Sequence, residues 1–453
     1  MIRTLTAARA CADPAAAHTT REGAPGRACM IGTIRAHGAA RIDRSTFLGE
    51  PGFTGLVSDA PPVQARVDLR IAAGWTLTPR LQYSQCNPRN GPRGREEDKY
   101  KVAPLGRSGG VNTAGMDHAL LIGMEHGAEQ PTFVRPDMRL DGLPPINAVN
   151  PSCALATAPS RLAFSFAGTG KVDGFVAHAQ NQIALSQEWN VALGVRGSPF
   201  DHDNRRNGVR NADAISTTTW QLGSTCRLGG GASLFGGYNT GFDLEPVVGS
   251  RSRDGSPFVP ETSDQREAGV RVARGTQRAN MSAFRIGRNT VAVPDPGDVN
   301  FRIQEGQLRA QGVEIEREWT PLRGPRLQGG YAYLNGRPTR TTTAALLGAP
   351  LGDTPEQTVT FSSRWMAGTI ELRGGVYHLG RRRPVNGGPV TPAGYTAVDP
   401  GAGAVLGPVR TDAALINVAD AVYYTANGGA SFVCPGDPQR PGVRLAYAFG
   451  GAR

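Results

Sequence analysis

Residues that could bind a metal lie close together at one point of the sequence: His118, Glu125 and His126. Imidazole and carboxylate groups are ligands of zinc and related metals. His118 and Glu125 are seven positions apart, so on a β-strand they point to opposite faces. We therefore predict strand residues without a shared metal site. The acidic stretch Asp201–Asp203, with a histidine at its centre, is predicted to be a solvated loop.

Catalytic and cofactor-binding motifs are not evident. The run Gly229–Gly231 lacks the lysine and the following helix that a phosphate-binding loop requires. The six cysteines are scattered, with no CxxC pair or metal-ligand spacing, so unpaired thiols are expected. No nucleophile stands beside a base. These observations predict a protein that is not an enzyme and has no catalytic residues, metal site or bound cofactor.

Arginine dominates the charged residues, since 46 of the 49 basic residues are arginine and the net charge is +11. Guanidinium groups bind carboxylates and phosphates through two parallel hydrogen bonds. The candidate ligand-binding residues, all predicted to lie in loops, are Arg205, Arg206, Arg381, Arg382 and Arg383. Two alternatives remain open. The arginines could bind nucleic acid nonspecifically in a soluble protein, or reflect a genome rich in arginine codons.

The elements that must position these residues are predicted from an alternation of apolar and polar side chains. From Val63 to Ile71 the apolar residues occupy odd positions, and the pattern resumes from Trp75 to Tyr83 after a glycine. Successive side chains of a strand point to opposite faces, so each segment has one apolar and one polar face. Two such segments around a turn signal predict a β-hairpin. No sustained amphipathic helix is found.

About sixteen strand candidates follow, most of them near the ten residues expected of a membrane β-strand. Short glycine turns alternate with four predicted long polar loops: Cys86–Lys99, Arg196–Asp213, Leu244–Gln265 and Arg381–Ala393. The pattern predicts an all-β, antiparallel up-and-down transmembrane barrel with short turns at one end and long loops at the other. A soluble sandwich or propeller is the alternative, although a propeller's long repeat is missing.

Composition and chain ends agree with this class. The 60 glycines and 34 prolines are expected in turns and loops. No apolar run approaches the roughly 18 residues of a transmembrane helix, which excludes a helical membrane protein. Residues 1–40 show no apolar core of a signal peptide and are predicted to be a disordered or non-native N-terminus. Residues 41–453 are predicted to form the barrel.

Short motifs occur in a fixed order along the chain and resemble the TonB-dependent siderophore receptors of bacterial outer membranes. Examples are the segments His118–Glu125, Phe258–Glu261 and Glu305–Glu314. The residues that carry this resemblance are Asp43, Arg44, Gly49, Pro51, His118, Gly123, Glu125, Pro260, Glu261, Glu267, Gly269, Asn289, Gly306, Gly312, Glu314, Tyr395, Asp399, Asn417, Asp420, Tyr424 and Phe449.

The resemblance implies a Gram-negative outer-membrane barrel of about 22 strands around a plug domain. It also implies a ferric siderophore as the transported ligand, TonB as the energising partner and contact with outer-membrane lipid or lipopolysaccharide, without nucleic acid. Roughly 16 of the 22 strands are expected here. Plug, TonB box and signal peptide are not found, which predicts an N-terminally truncated and inactive chain.

Two alternatives to uptake follow from the same pattern. One is a passive porin-like or adhesin barrel that works without a plug. The other is a non-functional gene remnant, since an open sheet edge in lipid leaves backbone groups without hydrogen bonds.

Overall fold

The chain is almost entirely β-strand where it is described. The computed structural model describes residues 9–11, 19–21, 29–30, 56–58, 63–72, 74–86, 89–90, 94–137, 163–206, 209–244, 252–254, 258–321, 324–383, 386, 391–425 and 432–447. Within these ranges the only helical element is one short 3-10 helix, Ala344–Leu346. No helix in the described part is long and apolar enough to cross a bilayer.

Twenty-five strands are numbered here in chain order. They are β1 (Arg9–Cys11), β2 (Thr19–Arg21), β3 (Cys29–Met30), β4 (Leu56–Ser58), β5 (Val63–Arg66), β6 (Leu69–Ala72), β7 (Trp75–Cys86), β8 (Arg89–Asn90), β9 (Gly94–Thr113), β10 (Met116–Asp137), β11 (Ala163–Ala184), β12 (Trp189–Arg206), β13 (Val209–Gly229), β14 (Ala232–Asp243), β15 (Glu261–Arg274), β16 (Gln277–Asp295), β17 (Asp298–Trp319), β18 (Arg326–Arg340), β19 (Gln357–Ala367), β20 (Ile370–Leu379), β21 (Tyr395–Leu406), β22 (Val409–Ile416), β23 (Tyr424–Thr425), β24 (Phe432–Pro435) and β25 (Arg440–Tyr447).

A continuous antiparallel ladder is the main feature of the fold. Strands β7, β9 to β22 and β25 are the sixteen described strands of eight or more residues, and each pairs with the next. β5 and β6 both pair with β7 in one register, and β1 pairs with β5. The predicted all-β, up-and-down antiparallel architecture is therefore confirmed, as is the hairpin between Val63 and Tyr83.

One face of the ladder carries a continuous apolar row across β14 to β17, and we name it the outer face. Leu234, Val270, Met281 and Ile315 are successive register partners on β14 to β17. Each is between 40% and 53% exposed. A continuous exposed apolar row suits contact with lipid, because a soluble protein would bury it. The opposite, inner face carries polar residues such as Glu314, next to Ile315.

Buried apolar side chains are few in the described part and lie mainly on the inner face. Val102, Val176 and Phe200 belong to β9, β11 and β12 and are 7–9% exposed. Phe200 is the register partner of Gly174, where an added Cβ would lie 3.1 Å from the Phe200 Cβ. Glycine therefore leaves the space in which this ring packs. Within the described residues, the fold depends mainly on its hydrogen-bonded ladder and little on an apolar core.

The two ends of the ladder differ in their connections. At one end, which we name the turn end, strands are joined by tight turns with glycine in the left-handed region, as at Gly368 (φ +66°) and Gly407 (φ +61°). Glycine adopts this conformation without the steric cost that a Cβ imposes. At the other end, the loop end, longer segments connect successive strands of the ladder. Examples are residues 341–356 between β18 and β19, and residues 417–439, which contain the short strands β23 and β24, between β22 and β25.

Three of the four predicted long loops contain strand. The loop predicted for Arg196–Asp213 is wrong, because β12 continues to Arg206 and β13 begins at Val209, in one unbroken register. Strands β9 and β15 likewise begin inside two other predicted loops. These strands exceed the ten or so residues that cross a membrane, so their outer parts are polar on both faces and resemble loops in sequence. His202 is consequently not solvated; it is 3% exposed.

Candidate functional site

The loop-end arginines differ in their contacts. Nε of Arg382 lies 2.8 Å from Oδ1 of Asp353, and the Arg382 side chain is 12% exposed. The carbonyl oxygen of Arg383 accepts a 2.6 Å hydrogen bond from the backbone N–H of Asp353. Arg381 is exposed, with no carboxylate partner among the described residues. Arg382 and Arg383 therefore join two loops, whereas Arg381 faces solvent.

The other two arginine candidates lie at the tip of the β12–β13 hairpin, so their predicted position in a loop is wrong. The backbones of Arg205 and Arg206 pair with Arg210 and Val209. Arg210 donates hydrogen bonds of 3.0 and 2.9 Å to Asp203. Asp203 lies 14 residues beyond Trp189, which on a strand tilted by about 40° is a rise of about 35 Å along the membrane normal and thus outside the membrane band. The Arg210 guanidinium lowers the pKa of the Asp203 carboxyl below its ordinary value.

Asn417 organises the connection between the paired strands β22 and β25 through its hydrogen bonds. Its side chain is completely buried and its φ is +51°. Nδ2 donates to the carbonyl oxygens of Ala421 (2.9 Å) and Asp437 (3.0 Å), and Oδ1 accepts from the Ala421 N–H (2.9 Å). The Asn417 N–H donates to Oδ1 of Asp399 at 2.7 Å. Asp420 accepts from the Gln439 N–H at 2.8 Å. We call this cluster the Asn417 hub.

Aromatic rings lie beside the hub at the loop end. Tyr395 stacks on Tyr423 with 4.0 Å between ring centroids, and Tyr377 meets Tyr395 edge-on at 6.1 Å. Tyr424 begins β23 and pairs with Pro435. The motif residues Tyr395, Asp399, Asn417 and Asp420 are therefore brought together, although they are spread over 26 positions of sequence.

A second group of motif residues meets at an irregularity of β16. Glu261 is 5% exposed and accepts hydrogen bonds from the Arg288 guanidinium and from the Ala292 N–H (3.2 Å). The carbonyl oxygen of Pro260 accepts from Thr290, which follows Asn289. The β16–β17 register shifts between Arg288 and Val291. Gly306 lies opposite, where a Cβ would come within 2.7 Å of the Val291 carbonyl oxygen.

Several motif glycines provide space for rings on neighbouring strands. A Cβ at Gly123 would collide with the His178 ring, one at Gly269 with the Phe235 ring, and one at Gly312 would lie 3.0 Å from the Phe284 ring. The sequence marked these glycines through the motifs that resemble the family, but which ring fills each space depends on the register. Glu267 and Glu314 lie on the inner face near these glycines.

An ion-pair network on the inner face at the turn end was missed by sequence reasoning. Glu371 is 5% exposed and lies 2.7 Å from Arg364, 3.5 Å from Arg410 and 3.6 Å from Arg373. Asp412 lies 2.8 Å from Arg373 and 2.9 Å from Arg410. The network links β19, β20 and β22. We call it the Glu371 network.

Glycine in β21 makes the Glu371 network continuous. Gly403 is the register partner of both Glu371 and Asp412, so it lies between them on the inner face. A Cβ at Gly403 would come within 2.6 Å of Asp412 Oδ1. The side chains of β20 and β22 can therefore meet across β21.

Charged and polar side chains contribute to the lining of the cavities along the inner face. One of about 490 Å³ is lined by Arg326, Arg364 and Arg373, and its neighbour of about 500 Å³ by Arg278, Glu316 and others. A third, of about 370 Å³, is lined by donor groups that include His178, Arg196 and Gln221.

The predicted metal candidates remain apart. His118 contacts Asn181, with 3.0 Å between Nδ1 and Nδ2, while Glu125 lies on the other face of β10. His126 lies 3.2 Å from Asp173. Among the described residues, no group of three or more His, Cys, Asp or Glu is arranged to hold a metal ion. Asp43, Arg44, Gly49, Pro51 and Phe449 lie outside the described residues.

Comparison with known protein families identifies the family to which this β-strand ladder belongs. The family model described as "TonB dependent receptor-like, beta-barrel" matches residues 36–406, more than three quarters of the chain. The chain belongs to the TonB-dependent receptor family. Its members are outer-membrane β-barrels that serve as transport receptors and not as enzymes.

Curated relatives have the same affiliation. The chain is 24% identical over 465 residues to the metal-pseudopaline receptor of Pseudomonas aeruginosa, covering 92% of this chain and 63% of the relative. It is 25% identical over 177 residues to the ferrichrome outer membrane transporter/phage receptor of Escherichia coli, covering 38% of this chain and 22% of that protein. The chain thus spans less than two thirds of these relatives' length.

Solved structures of TonB-dependent receptors have the same fold. The Escherichia coli ferric-catecholate import receptor in its closed form matches with a TM-score of 0.77 at 17% identity, covering 94% of this chain and 69% of that one. The ferric preacinetobactin receptor of Acinetobacter baumannii matches with a TM-score of 0.74 at 18% identity, covering 87% and 63%. At this identity the likeness concerns the fold alone.

Proposed function

We propose that this chain forms the barrel wall of a receptor that takes up metal–siderophore complexes across the outer membrane of a Gram-negative bacterium, energised through TonB. The observation that carries the proposal is the family match over residues 36–406, on a ladder with an apolar outer face and a charged inner face. Relatives named as metal-pseudopaline and ferrichrome receptors support a metal chelate as cargo. The ferric siderophore is substrate and not a resident cofactor.

The ligand is proposed to contact the loop end through Arg381, Arg205 and Arg206, with Arg382 and Arg383 holding the loops beneath it. Chelates of this class carry carboxylate or catecholate oxygens, which guanidinium groups bind in pairs. Residues 41–453 are proposed to form one barrel domain, to whose strand β5 the short strand β1 of the N-terminal segment is paired.

The uptake proposal is tested in a strain deleted for its own siderophore receptors, with and without TonB. Cells that express the chain are given siderophores loaded with radioactive iron. We expect accumulation only with both the chain and TonB. Accumulation that does not depend on TonB would contradict the proposal, and so would absence of the chain from isolated outer membranes.

The arginine assignment has its own test in the purified chain. The triple variant Arg205→Gln, Arg206→Gln, Arg381→Gln is expected to bind the transported siderophore at least tenfold more weakly. Arg70→Gln removes an exposed charge at the turn end and is the matched control. Equal binding by the triple variant and the control would refute the assignment.

A passive barrel is the second candidate. The observation in its favour is the presence of three inner-face cavities of about 370 to 500 Å³ with charged side chains in their linings. In planar bilayers a passive barrel would conduct small ions steadily without any ligand, whereas a receptor with an occupied lumen would not.

A further inference from the structure

Strand β13 extends well beyond its neighbour β14 at the loop end. It pairs with β12 along its upper part, but its pairing with β14 ends at Gln221 and Asn239. One step above, the Thr240 hydroxyl accepts a hydrogen bond from the Trp220 N–H (2.9 Å) and donates to the Trp220 carbonyl oxygen (3.3 Å). Residues 212–219 therefore have β12 on one side and no described strand on the other. We call them the β13 edge.

Above this point β14 bends inward and does not cover the edge. The ring of Phe242 on β14 is stacked on the ring of Phe200, with 6.2 Å between centroids and 4° between planes. Phe200 lies on the inner face of β12, which is on the far side of β13 from β14. Phe242 therefore reaches across the inner face of β13, and the edge stays open in the described structure.

The backbone groups of the β13 edge alternate in direction. Both groups of Trp220 point toward β14, and on an antiparallel strand every second residue repeats that direction. The edge residues whose N–H and C=O groups point away from β12 are Ala212, Ala214, Ser216 and Thr218. The Ala214 N–H donates to Oδ1 of Asp213 at 2.8 Å. The N–H groups of the other three have no partner in the part of the chain that the structure describes.

Other strand edges at the loop end are covered. β18 continues past its last pairing with β19, and the segment that follows it folds back along that edge. Three backbone hydrogen bonds of 2.9 Å join them, between Leu334 and Glu356, Gly336 and Leu351, and Pro338 and Gly348. On β16 the Ala292 N–H is satisfied by the Glu261 carboxylate at 3.2 Å. The β13 edge differs from both.

The position of the β13 edge in the membrane makes its open groups costly. Thr218 lies eight residues above Cys226, the register partner of Trp189. On a strand tilted by about 40° this is a rise of about 20 Å, within the apolar band of about 25 Å. Ala212 lies about 35 Å up by the same estimate, outside the band. Backbone groups beside lipid must be hydrogen-bonded, so we expect an added strand to begin near Thr218 and to continue outward.

The sequence of the β13 edge favours such an addition. Its outer-face side chains are small and exposed, and Ile215 with three threonines supplies the β-branched residues typical of strands. Free edges are commonly protected by lysine, proline or a bulge. The β13 edge contains neither lysine nor proline, and its register with β12 is unbroken. Its one charged residue is Asp213.

Asp213 determines what kind of strand fits. It is two positions from the register partner of Phe200, so its exposed side chain lies on the inner face. An added strand would place one residue directly opposite it, in the closer non-hydrogen-bonded pairing. A neutral residue there would desolvate the carboxylate, whereas lysine or arginine would pair with it and free the Ala214 N–H for the new strand. Arg210 lies on the opposite face and is bound to Asp203. Charge complementarity therefore selects a cationic peptide.

A second copy of this chain in the same membrane does not fit the β13 edge. Its β13 would also run from the loop end to the turn end, whereas antiparallel bonds need opposite directions. The twofold axis of such a dimer lies along the membrane normal, so two strands tilted by about 40° would cross at about 80° and could not share a ladder. The added strand must therefore come from a different molecule.

We propose that the β13 edge binds an extended cationic segment of another protein, which adds to β13 as an antiparallel strand with a lysine or arginine opposite Asp213. Strand addition takes its affinity from main-chain hydrogen bonds and its specificity from alternate side chains. The site is a protein-recognition surface that needs neither chelate nor TonB. Its exposure at the cell surface rests on the proposed outer-membrane position.

The test uses the purified full chain in detergent and a fluorescent peptide with the sequence Thr-Val-Thr-Val-Thr-Val-Lys-Val. In the proposed register its valines form the hydrogen-bonded pairs with the β13 edge, and its lysine lies opposite Asp213. N-methylation of the second and third valines removes donors that face β13 and is expected to weaken binding at least tenfold. N-methylation of the second and third threonines changes donors that face away, and this peptide is the matched control.

Equal binding by the two methylated peptides overturns the proposal. Absence of binding by the unmethylated peptide, as expected if another segment of this chain occupies the edge, overturns it too. Both results come from the unmodified chain, so neither depends on the folding of a variant.

The charge assignment is tested with Asp213→Lys. This variant is expected to bind the lysine peptide at least tenfold more weakly, and to regain binding when glutamate replaces the lysine of the peptide. Asp201→Lys changes an exposed acidic residue on the outer face of the same hairpin and is expected to bind the lysine peptide normally. Failure of the glutamate peptide to bind Asp213→Lys overturns the pairing. Because binding is measured without TonB or a siderophore, failure of uptake leaves this result unaffected.

Discussion

The Glu371 network and the Asn417 hub stand at opposite ends of the same strands and stabilise them differently. The network joins β19, β20 and β22 through five charged side chains, most of them partly exposed on the inner face. The hub depends on one fully buried neutral amide with backbone partners. Several ion pairs together stabilise the contacts between strands, so the loss of one pair leaves others in place. A single buried amide instead determines the backbone path of one connection. The two should therefore respond differently to mutation and to salt.

The largest effect is expected for Asn417→Ala. The substitution removes three buried hydrogen bonds and leaves the Ala421 and Asp437 groups unsatisfied, while alanine is disfavoured at φ +51°. We expect a loss of about 3 kcal/mol in the free energy of unfolding. The free energy of unfolding is measured in a urea titration. The folded fraction is read from gel electrophoresis of unheated samples, in which a folded barrel migrates differently from the unfolded chain. Asn417→Gly, which tolerates the backbone angle, should lose nearly as much, and native stability of the glycine variant would assign the effect to φ.

Glu371→Gln is expected to cost less, about 1–2 kcal/mol, because its carboxylate is buried but its arginine partners are partly exposed. The variant keeps the shape of the side chain and removes the charge that three guanidinium groups share. Unfolding is compared at low and at molar salt. The defect should shrink at high salt, since ion pairs are screened, whereas that of Asn417→Ala should not. Equal salt dependence would remove the distinction between the two clusters.

Gly403→Ala tests whether the network needs a gap in β21. The new Cβ would come within 2.6 Å of Asp412 Oδ1 and push that carboxylate from its arginines. We expect a lower unfolding midpoint that is not additive with Glu371→Gln, because both changes break one network. Gly375→Ala on β20 is the matched control, since its nearest neighbour would be the Asp399 carbonyl oxygen at 3.9 Å. Equal destabilisation by the two alanines would contradict the role assigned to Gly403.

The smallest effect is expected for Asp203→Asn at the exposed hairpin tip. Arg210 depresses the folded-state pKa of Asp203, so the pair stabilises the fold above the unfolded pKa and loses this contribution as pH falls through the folded value. Near neutral pH the variant should melt within about a degree of the unmodified chain, as for most exposed pairs. The small difference should disappear in acid. A difference that grows on acidification would reverse the assigned sign.

Much of the wall could be predicted from alternation, because a strand with one lipid face and one polar face must repeat every two residues. The hairpin around Gly74 and the opposite orientation of His118 and Glu125 followed directly. The ends of the strands could not be predicted in this way. Between Arg196 and Asp213 polar residues occupy both faces of the hairpin, so the alternation that marks a strand disappears although the ladder continues.

Clusters of residues that are far apart in the sequence could not be predicted either. The Glu371 network joins residues up to 48 positions apart, and its glycine is unremarkable until the register places it between two carboxylates. The motif residues around Asn417 were identified by resemblance, but their hydrogen bonds depend on a buried crossing that no local pattern encodes. Arg382 and Arg383 were predicted as ligand contacts, and only the fold reveals their bonds to Asp353.

The pairing of β5 and β6 with β7 has a consequence for how such a wall can become a cylinder. Both β5–β6 and β25 run from the loop end to the turn end, because an even number of reversals separates them. Two strands that point the same way cannot be joined by antiparallel bonds. Closure therefore requires an odd number of additional strands between these edges. Strand β1, antiparallel to β5, meets that parity by itself.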